Sequence, residues 1–216
     1  MFAGIGTGEA EGLIKAAKPS YHGFQRGETL WREGEVVDGL GVLESGTLLC
    51  RRYHSDGRAL LMRLFEPGDI INVEAAVSRR RTSPTFVTAA MDGGYIRFSC
   101  SGLFENPGIP QGTLRTIHAN LLACLADEAI RFIKRTDMLS QRTIRGRVTT
   151  FLNVLRENQG DEIDIGMNQE ELAQYLFVDR SSLSEELNKM RREGLIDFKK
   201  KVVRLNFSDT EGKDGG

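Results

Sequence analysis

Residues 111–137 read as one uninterrupted helix, and no other stretch limits the possible folds as tightly. Pro107 and Pro110 close whatever precedes it, after which Leu114, Ile117, Leu121 and Cys124/Leu125 recur at spacings of three and four. Roughly 27 residues of helix span ~40 Å at ~1.5 Å per residue, more than a domain of this size needs for its own core. Such a helix either packs on the domain before it or pairs with a second copy of itself. The seam spacing favours pairing, with Leu114, Ile117, Leu121, Cys124 and Leu125 as the dimer seam. Ile130 and Ile133 are then free to face the preceding domain.

The text on either side differs in kind. From residue 20 to about 97, apolar runs of four to six residues (Leu40–Leu43, Thr47–Cys50, Leu60–Phe65, Asp69–Val73, Phe86–Ala90, Tyr95–Phe98) alternate with turn signals. Among these are Ser45-Gly46, Ser55-Asp56-Gly57, Pro67-Gly68-Asp69 and Asp92-Gly93-Gly94. Strands at this spacing predict a small barrel or jelly roll. After residue 139 the text turns helical: 140–158, 168–176 and 180–193, then a basic hairpin over 197–206. The predicted architecture is α+β: a segment 1–19, a jelly-roll-like β-roll over 20–108, a long helix over 109–138 and a helical domain over 139–207. The polar, Gly-rich residues 208–216 form a disordered tail in this reading.

Composition excludes several classes. With 216 residues, 40% of them hydrophobic and 27% charged, the chain can bury a core and is not a disordered or fibrous sequence. No apolar run reaches the ~18 residues of a membrane span, and Met1 to Gly12 have no basic leader pattern. Three widely spaced cysteines (Cys50, Cys100, Cys124) make neither a disulfide framework nor a zinc knuckle and suit a reducing cytoplasm. A formal net charge of −1 means that any nucleic-acid function resides in a local patch. One exists: between Lys189 and Arg204, seven basic residues (Lys189, Arg191, Arg192, Lys199, Lys200, Lys201, Arg204) face two acidic ones (Glu193, Asp197).

The patch sits where chemistry needs it. Asn168-Gln169-Glu170-Glu171 has capping-box spacing, and Asp179 is placed to cap the next helix after a turn of only three residues. Two short helices so joined form a helix-turn-helix pattern, and the hairpin adds a wing. On the second helix Leu183, Leu187 and Met190 share one stripe, while Ser181, Glu185, Asn188 and Arg192 share the opposite one. Small hydroxyls at Ser181, Ser182 and Ser184 allow close approach to bases, and Arg180 has the two donors that guanine O6 and N7 require. Gln169, Lys189, Lys199 and Lys200 are candidate partners of phosphates. Glu185 either accepts from a cytosine amine or pairs with Lys189 four residues on; the helix spacing favours the pair.

The run from Asn168 to Leu187, with Glu193-Gly194-Leu195-Ile196, resembles the winged helix of the CRP/FNR transcription regulators. The front half resembles the same family in order: Arg26-Gly27-Glu28-Thr29-Leu30, Glu33-Gly34-Glu35, Leu43-Glu44-Ser45-Gly46-Thr47 and Phe65-Glu66-Pro67-Gly68-Asp69-Ile70-Ile71. The resemblance implies a homodimeric, cytoplasmic regulator of double-stranded DNA whose cyclic-nucleotide-type β-roll senses a small molecule. RNA polymerase is a further implied partner and no membrane is.

Departures from the family pattern bear on the effector. Members that bind cyclic AMP carry Gly-Glu where this chain has Asn72-Val73, and Arg-Ser where it has Ser83-Pro84. The acid for ribose hydroxyls and the arginine for the cyclic phosphate are therefore missing in register. Glu74 and Arg81 lie one or two residues away, and a one-residue slip in a strand reverses the face. The polar pair that reads the base falls near Phe132-Ile133, which cannot hydrogen-bond. Cyclic AMP is thus a poor match, and the pocket positions to watch are Asn72, Val73, Glu74, Ser83, Thr85, Glu128 and Phe132. Glu128 either faces that pocket or pairs with Arg131 or Arg135.

No cofactor is named by the sequence. No cysteine precedes Cys50 to hold an iron–sulfur cluster, and His22, His54 and His118 are haem ligands only by default. A haem- or thiol-sensing regulator of the same fold, and a cupin-type metal enzyme with an attached winged helix, are the competing readings; no catalytic triad, phosphate loop or His-x-His supports an enzyme. Cys124 on the seam is either a redox contact with its own copy or a small buried hydrophobe. Arg79-Arg80-Arg81 is either a solvated loop or an anion- or polymerase-facing patch. Phe177 stands where the family turn has Gly, at a cost of ~1 kcal/mol if that position needs positive φ.

Overall fold

The computed structural model describes residues 3–199 and 201–206, so Lys200 and the proposed tail at 208–216 lie outside the described residues. The chain divides into two compact units, one ending at Glu128 and one beginning at Ala129.

The first unit opens with helix α1 (Thr7–Ala17), where the sequence reading saw only a leading segment. Glu9 accepts the Gly6 amide at its start, and Leu13 and Ala17, one turn apart, are buried. The strands follow: β1 (Ser20–Phe24), β2 (Thr29–Trp31), β3 (Gly39–Tyr53), β4 (Ala59–Phe65), β5 (Ile70–Ile71) and β6 (Phe86–Ser99). They form one antiparallel sheet in the order β1-β6-β3-β4, with β2 added on β6 and β5 on β3.

Two expected turns are not turns. Ser45-Gly46 and Asp92-Gly93-Gly94 lie inside β3 and β6, which pair along their length with register shifts between Leu43 and Leu48. A Cβ on Gly93 would stand 2.2 Å from the Ser45 carbonyl oxygen, and one on Gly46 2.7 Å from that of Asp92. These glycines let the two backbones touch while the bulges bend the sheet into a roll. The Ser55-Asp56-Gly57 hairpin is as expected: Gly57 takes φ 83° and the Asp56 carboxylate accepts the Arg58 amide at 3.0 Å.

The strand read over Asp69–Val73 stops at Ile71. Asn72 adopts φ 62°, a left-handed conformation that asparagine tolerates better than most residues, and starts helix α2 (Val73–Val77). Helix α3 (Cys100–Phe104) is capped by the Ser99 hydroxyl, which accepts from the Gly102 amide. Helix α4 then runs from Gln111 to Ser140 without interruption.

On α4, three residues of the proposed dimer seam are buried within the chain's own core. Leu114, Ile117 and Leu121 are 7%, 0% and 3% exposed, in one core with Leu13, Leu40, Phe98 and Leu103; Cys124 and Leu125 lie against its edge. That stripe is committed to the chain's own β-roll. Each of the three leucine or isoleucine side chains is worth ~1.5–3 kcal/mol when buried, so none is available to a partner. Leu122, Ile130, Phe132 and Ile133 are the large apolar side chains of α4 that are exposed. Cys124 is half-buried at the edge of that core.

In the second unit, α5 (Ile144–Gln159) starts after Thr143, whose hydroxyl accepts the Gly146 amide, four residues later than expected. β7 (Glu162–Asp164), which the sequence reading missed, joins β8 (Ile196–Lys199) and β9 (Val202–Leu205) in a sheet ordered β7-β9-β8. Between them stand α6 (Gln169–Leu176) and α7 (Arg180–Arg192). Val148, Leu152, Ile163, Leu176, Leu183, Met190 and Val203 are among the buried side chains of this unit. No helix among the described residues is long and apolar enough to cross a membrane.

Candidate nucleic-acid interface

Helix α6 begins with the expected capping box: the Asn168 side-chain oxygen Oδ1 accepts the Glu170 and Glu171 amides at 2.9 and 3.0 Å, and the Glu171 carboxylate accepts the Asn168 amide. It ends at Phe177, which takes φ 53° and ψ 55°. The strain expected of a non-glycine residue there is present, and Arg147 answers it by donating to the Leu176 and Phe177 carbonyls at 3.1 and 3.0 Å. Asp179 occupies the N-cap of α7, but its side chain makes no capping bond.

Helix α7 is clamped by one face. Leu183, Leu187 and Met190 are buried, while Arg180, Ser181, Glu185, Asn188 and Lys189 are exposed and Ser182 and Ser184 half-buried. The clamp has an ionic part that the sequence reading missed. Arg145 on α5 donates from Nε to Glu186 at 2.6 Å and from Nη1 to Glu193 at 2.7 Å, on and just beyond the end of α7. Those bonds hold the Glu193 carboxyl below its ordinary range and push the Arg145 guanidinium higher still. Nothing in the residue spacing pairs position 145 with 186, which is why only the coordinates reveal it. Arg135 is a second such case, buried and stacked over the Tyr175 ring at 4.2 Å while donating to the Tyr175 carbonyl.

Glu185 is not paired with Lys189: neither side chain makes a hydrogen bond or ion pair among the described residues, contrary to the helix pair that the spacing favoured. Its carboxylate borders a hollow of about 600 Å³ with Ser182, Asn188, Lys189 and Arg192, on the same side as the other candidate base-reading groups. In the hairpin, Lys199 is exposed, whereas Lys201 donates to the Gly166 carbonyl at 2.7 Å and Arg191 lies 3.6 Å from Asp197. Gln169 is half-buried at the first turn of α6.

The effector positions are scattered. Ser83 and Thr85 are buried in the roll, Ser83 donating to the Thr85 carbonyl and Cys50 to the Thr85 hydroxyl. Asn72 is 2% exposed, and its amide nitrogen meets no acceptor among the described residues. Val73 is plain core and Glu74 faces solvent, while Phe132, in the second unit, is half exposed. Glu128 pairs with Arg63 of β4, a partner 65 positions away that the sequence spacing did not suggest. His22 stacks on Tyr95 and His118 on Phe104, and no cluster of metal-binding side chains occurs among the described residues.

A β-roll, a long helix and a winged helix with its outer face free define a two-domain DNA-binding transcription regulator. Residues 22–99 match the cyclic nucleotide-binding domain family and residues 146–209 the Crp-like helix-turn-helix domain family. The chain is 26% identical over 226 residues to the CRP-like cAMP-activated global transcriptional regulator of Mycobacterium tuberculosis, covering 97% of this chain and 93% of that one. It is 28% identical to the transcriptional regulator LdrP of Thermus thermophilus, over 80% of this chain and 85% of the relative. In fold it is similar to the c-di-GMP responsive global regulator CLP of Xanthomonas campestris, with a TM-score of 0.74 at 16% identity, covering 94% of this chain and all of that one. The chain belongs to the CRP/FNR family of transcription regulators.

Proposed function

We propose that this regulator is a cytoplasmic homodimer whose β-roll, residues 20–108, senses a small molecule other than cyclic AMP. Through the long helix it repositions two winged helices, residues 139–207, on a near-palindromic operator. The observation that carries the reading is the division of α7 into a buried face, Leu183, Leu187 and Met190, and an unpaired outer face, Arg180, Ser181, Glu185 and Asn188. The positive end of α7 and Lys199 supply phosphate contacts, while Arg180 and Glu185 read bases. Two such helices must stand one DNA turn apart, ~34 Å.

For pairing, the exposed stripe of α4 replaces the one first expected. Leu122, Ala129 and Phe132 stand seven and three residues apart at exposed positions, the seam spacing of a two-stranded coil, with Ile133 beside Phe132 and half-buried Leu125 at the edge of the stripe. Relatives named for cyclic AMP and c-di-GMP show that nucleotides are within the family's range. This roll lacks the in-register acid and arginine, and Glu74 points outward.

The test is selection of an operator from random duplex DNA, followed by titration with wild type, Arg180→Ala and Glu185→Gln. Arg180→Ala should cost ~1–3 kcal/mol and relax one position of each half-site; Glu185→Gln should change the preferred base at another. A wild-type protein that selects no sequence at any salt concentration refutes the reading.

A further inference from the structure

Arg63 lies on β4 two residues before buried Phe65 and just past a bulge at Met62, and its strand partner across the sheet is buried Cys50. Its guanidinium lies 4.4 Å over the Phe65 ring and donates to Asp69 at 2.8 Å and to Glu128 of α4. The pair is enclosed: the two side chains are 14% and 15% exposed. Glu128 is also the last residue of the first unit, so the bond is made where the long helix leaves the β-roll.

We infer that the Arg63–Glu128 bridge is a built-in tie between roll and helix, making without a ligand the connection that an effector lodged between them would otherwise have to make. Two observations support this. The guanidinium already holds two carboxylates, Asp69 and Glu128, so it is not a vacant cation for an incoming phosphate. The bridge also joins strand to helix across enclosed surroundings, where breaking a charge pair is far more disruptive than at an exposed site. The tie holds α4 in one setting on the roll, and preorganising the base of the paired helices is what operator affinity requires. This inference rests on the proposed DNA-binding function, so its test has one arm that needs no DNA.

In the full-length protein, hydrogen exchange is measured over residues 121–131 for wild type, Glu128→Gln, Arg63→Met and the double variant. Exchange over these residues should quicken at least tenfold in each single variant and no further in the double, because both remove the same bond from β4 to α4. Operator affinity should fall about tenfold in Glu128→Gln, while millimolar cyclic AMP leaves the wild type within twofold. Folded Glu128→Gln that exchanges and binds within twofold of wild type overturns the tie, as does cyclic AMP raising wild-type affinity tenfold. Glu128→Gln is nearly isosteric, so it decides the matter even if Arg63→Met fails to fold. A wild-type protein that binds no DNA defeats the proposed function, and the exchange arm still judges the tie.

Discussion

Removing the Arg145 side chain tests whether α7 is held by charge as well as by its apolar face. In Arg145→Ala, Glu186 loses the Nε–H donor at 2.6 Å while its side chain stays only 20% exposed. Hydrogen bonds to charged groups contribute ~1.5–3 kcal/mol. Arg145 is 36% exposed, so solvent screening brings the Arg145–Glu186 coupling to about 1–2 kcal/mol. A double-mutant cycle of Arg145→Ala and Glu186→Ala, read by urea denaturation of the winged-helix unit, measures it directly. The pH dependence has a fixed sign. Glu193 is held below its ordinary value by Arg145, so its contribution is complete above the unfolded value of 4.5 and is lost as pH falls through the lower folded value. The gap between wild type and Arg145→Ala should therefore be constant from neutral pH down to about 5 and narrow below it. A coupling under ~0.5 kcal/mol, or a gap that widens in acid, refutes the ionic clamp.

Two further substitutions probe the packing. Phe132→Glu should turn a dimer into a monomer in sedimentation while shifting the stability of the monomer by no more than ~0.5 kcal/mol, since the side chain is half exposed within one chain; an unaltered dimer refutes the exposed seam. Gly93→Ala should cost about 2–3 kcal/mol or more, because its Cβ meets the backbone of Ser45 and Gly46 and not a flexible side chain. Gly112→Ala, with nothing within 4 Å, serves as the control and should stabilise α4 by ~0.5–1 kcal/mol. Equal denaturation midpoints for the two alanine variants would defeat the close-approach account.

The second unit was legible because its signals are local. A capping box, a three-residue turn and a 3.6-residue stripe lie within twenty-five residues of one another, and α6 and α7 stand within a residue or two of their expected bounds. The first unit depends on pairings far apart in sequence, and there the reading slipped. Gly46 and Gly93 read as turns because a glycine needed for close approach and one needed for a loop are the same letter. Helix α1 buries only Leu13 and Ala17 and carries Gly8 and Gly12, too weak a pattern to detect. The Arg63–Glu128 and Arg145–Glu186 bridges join residues 65 and 41 positions apart, and no spacing rule reaches that far.

The exchange of stripes on α4 changes how a signal can travel. At ~100° per residue, Leu121 and Leu122 are neighbours around the helix, so the face buried on the β-roll adjoins the face free for a partner. Had Leu114, Ile117 and Leu121 formed the dimer seam, the roll would touch the helix by other groups, and a change inside it would reach the seam only indirectly. With the observed burial, a small rotation of α4 on the roll alters the packing of Leu121 and the presentation of Leu122 at once. No sliding of one element past another is needed. A ligand has only to favour one rotational setting by the difference in its own contacts. Because Glu128 lies a further turn or two along the roll-facing side, its bond to Arg63 resists that rotation directly. A rotation of α4 on the roll would have to strain or break this bond, which makes it the contact a ligand in the roll would work against.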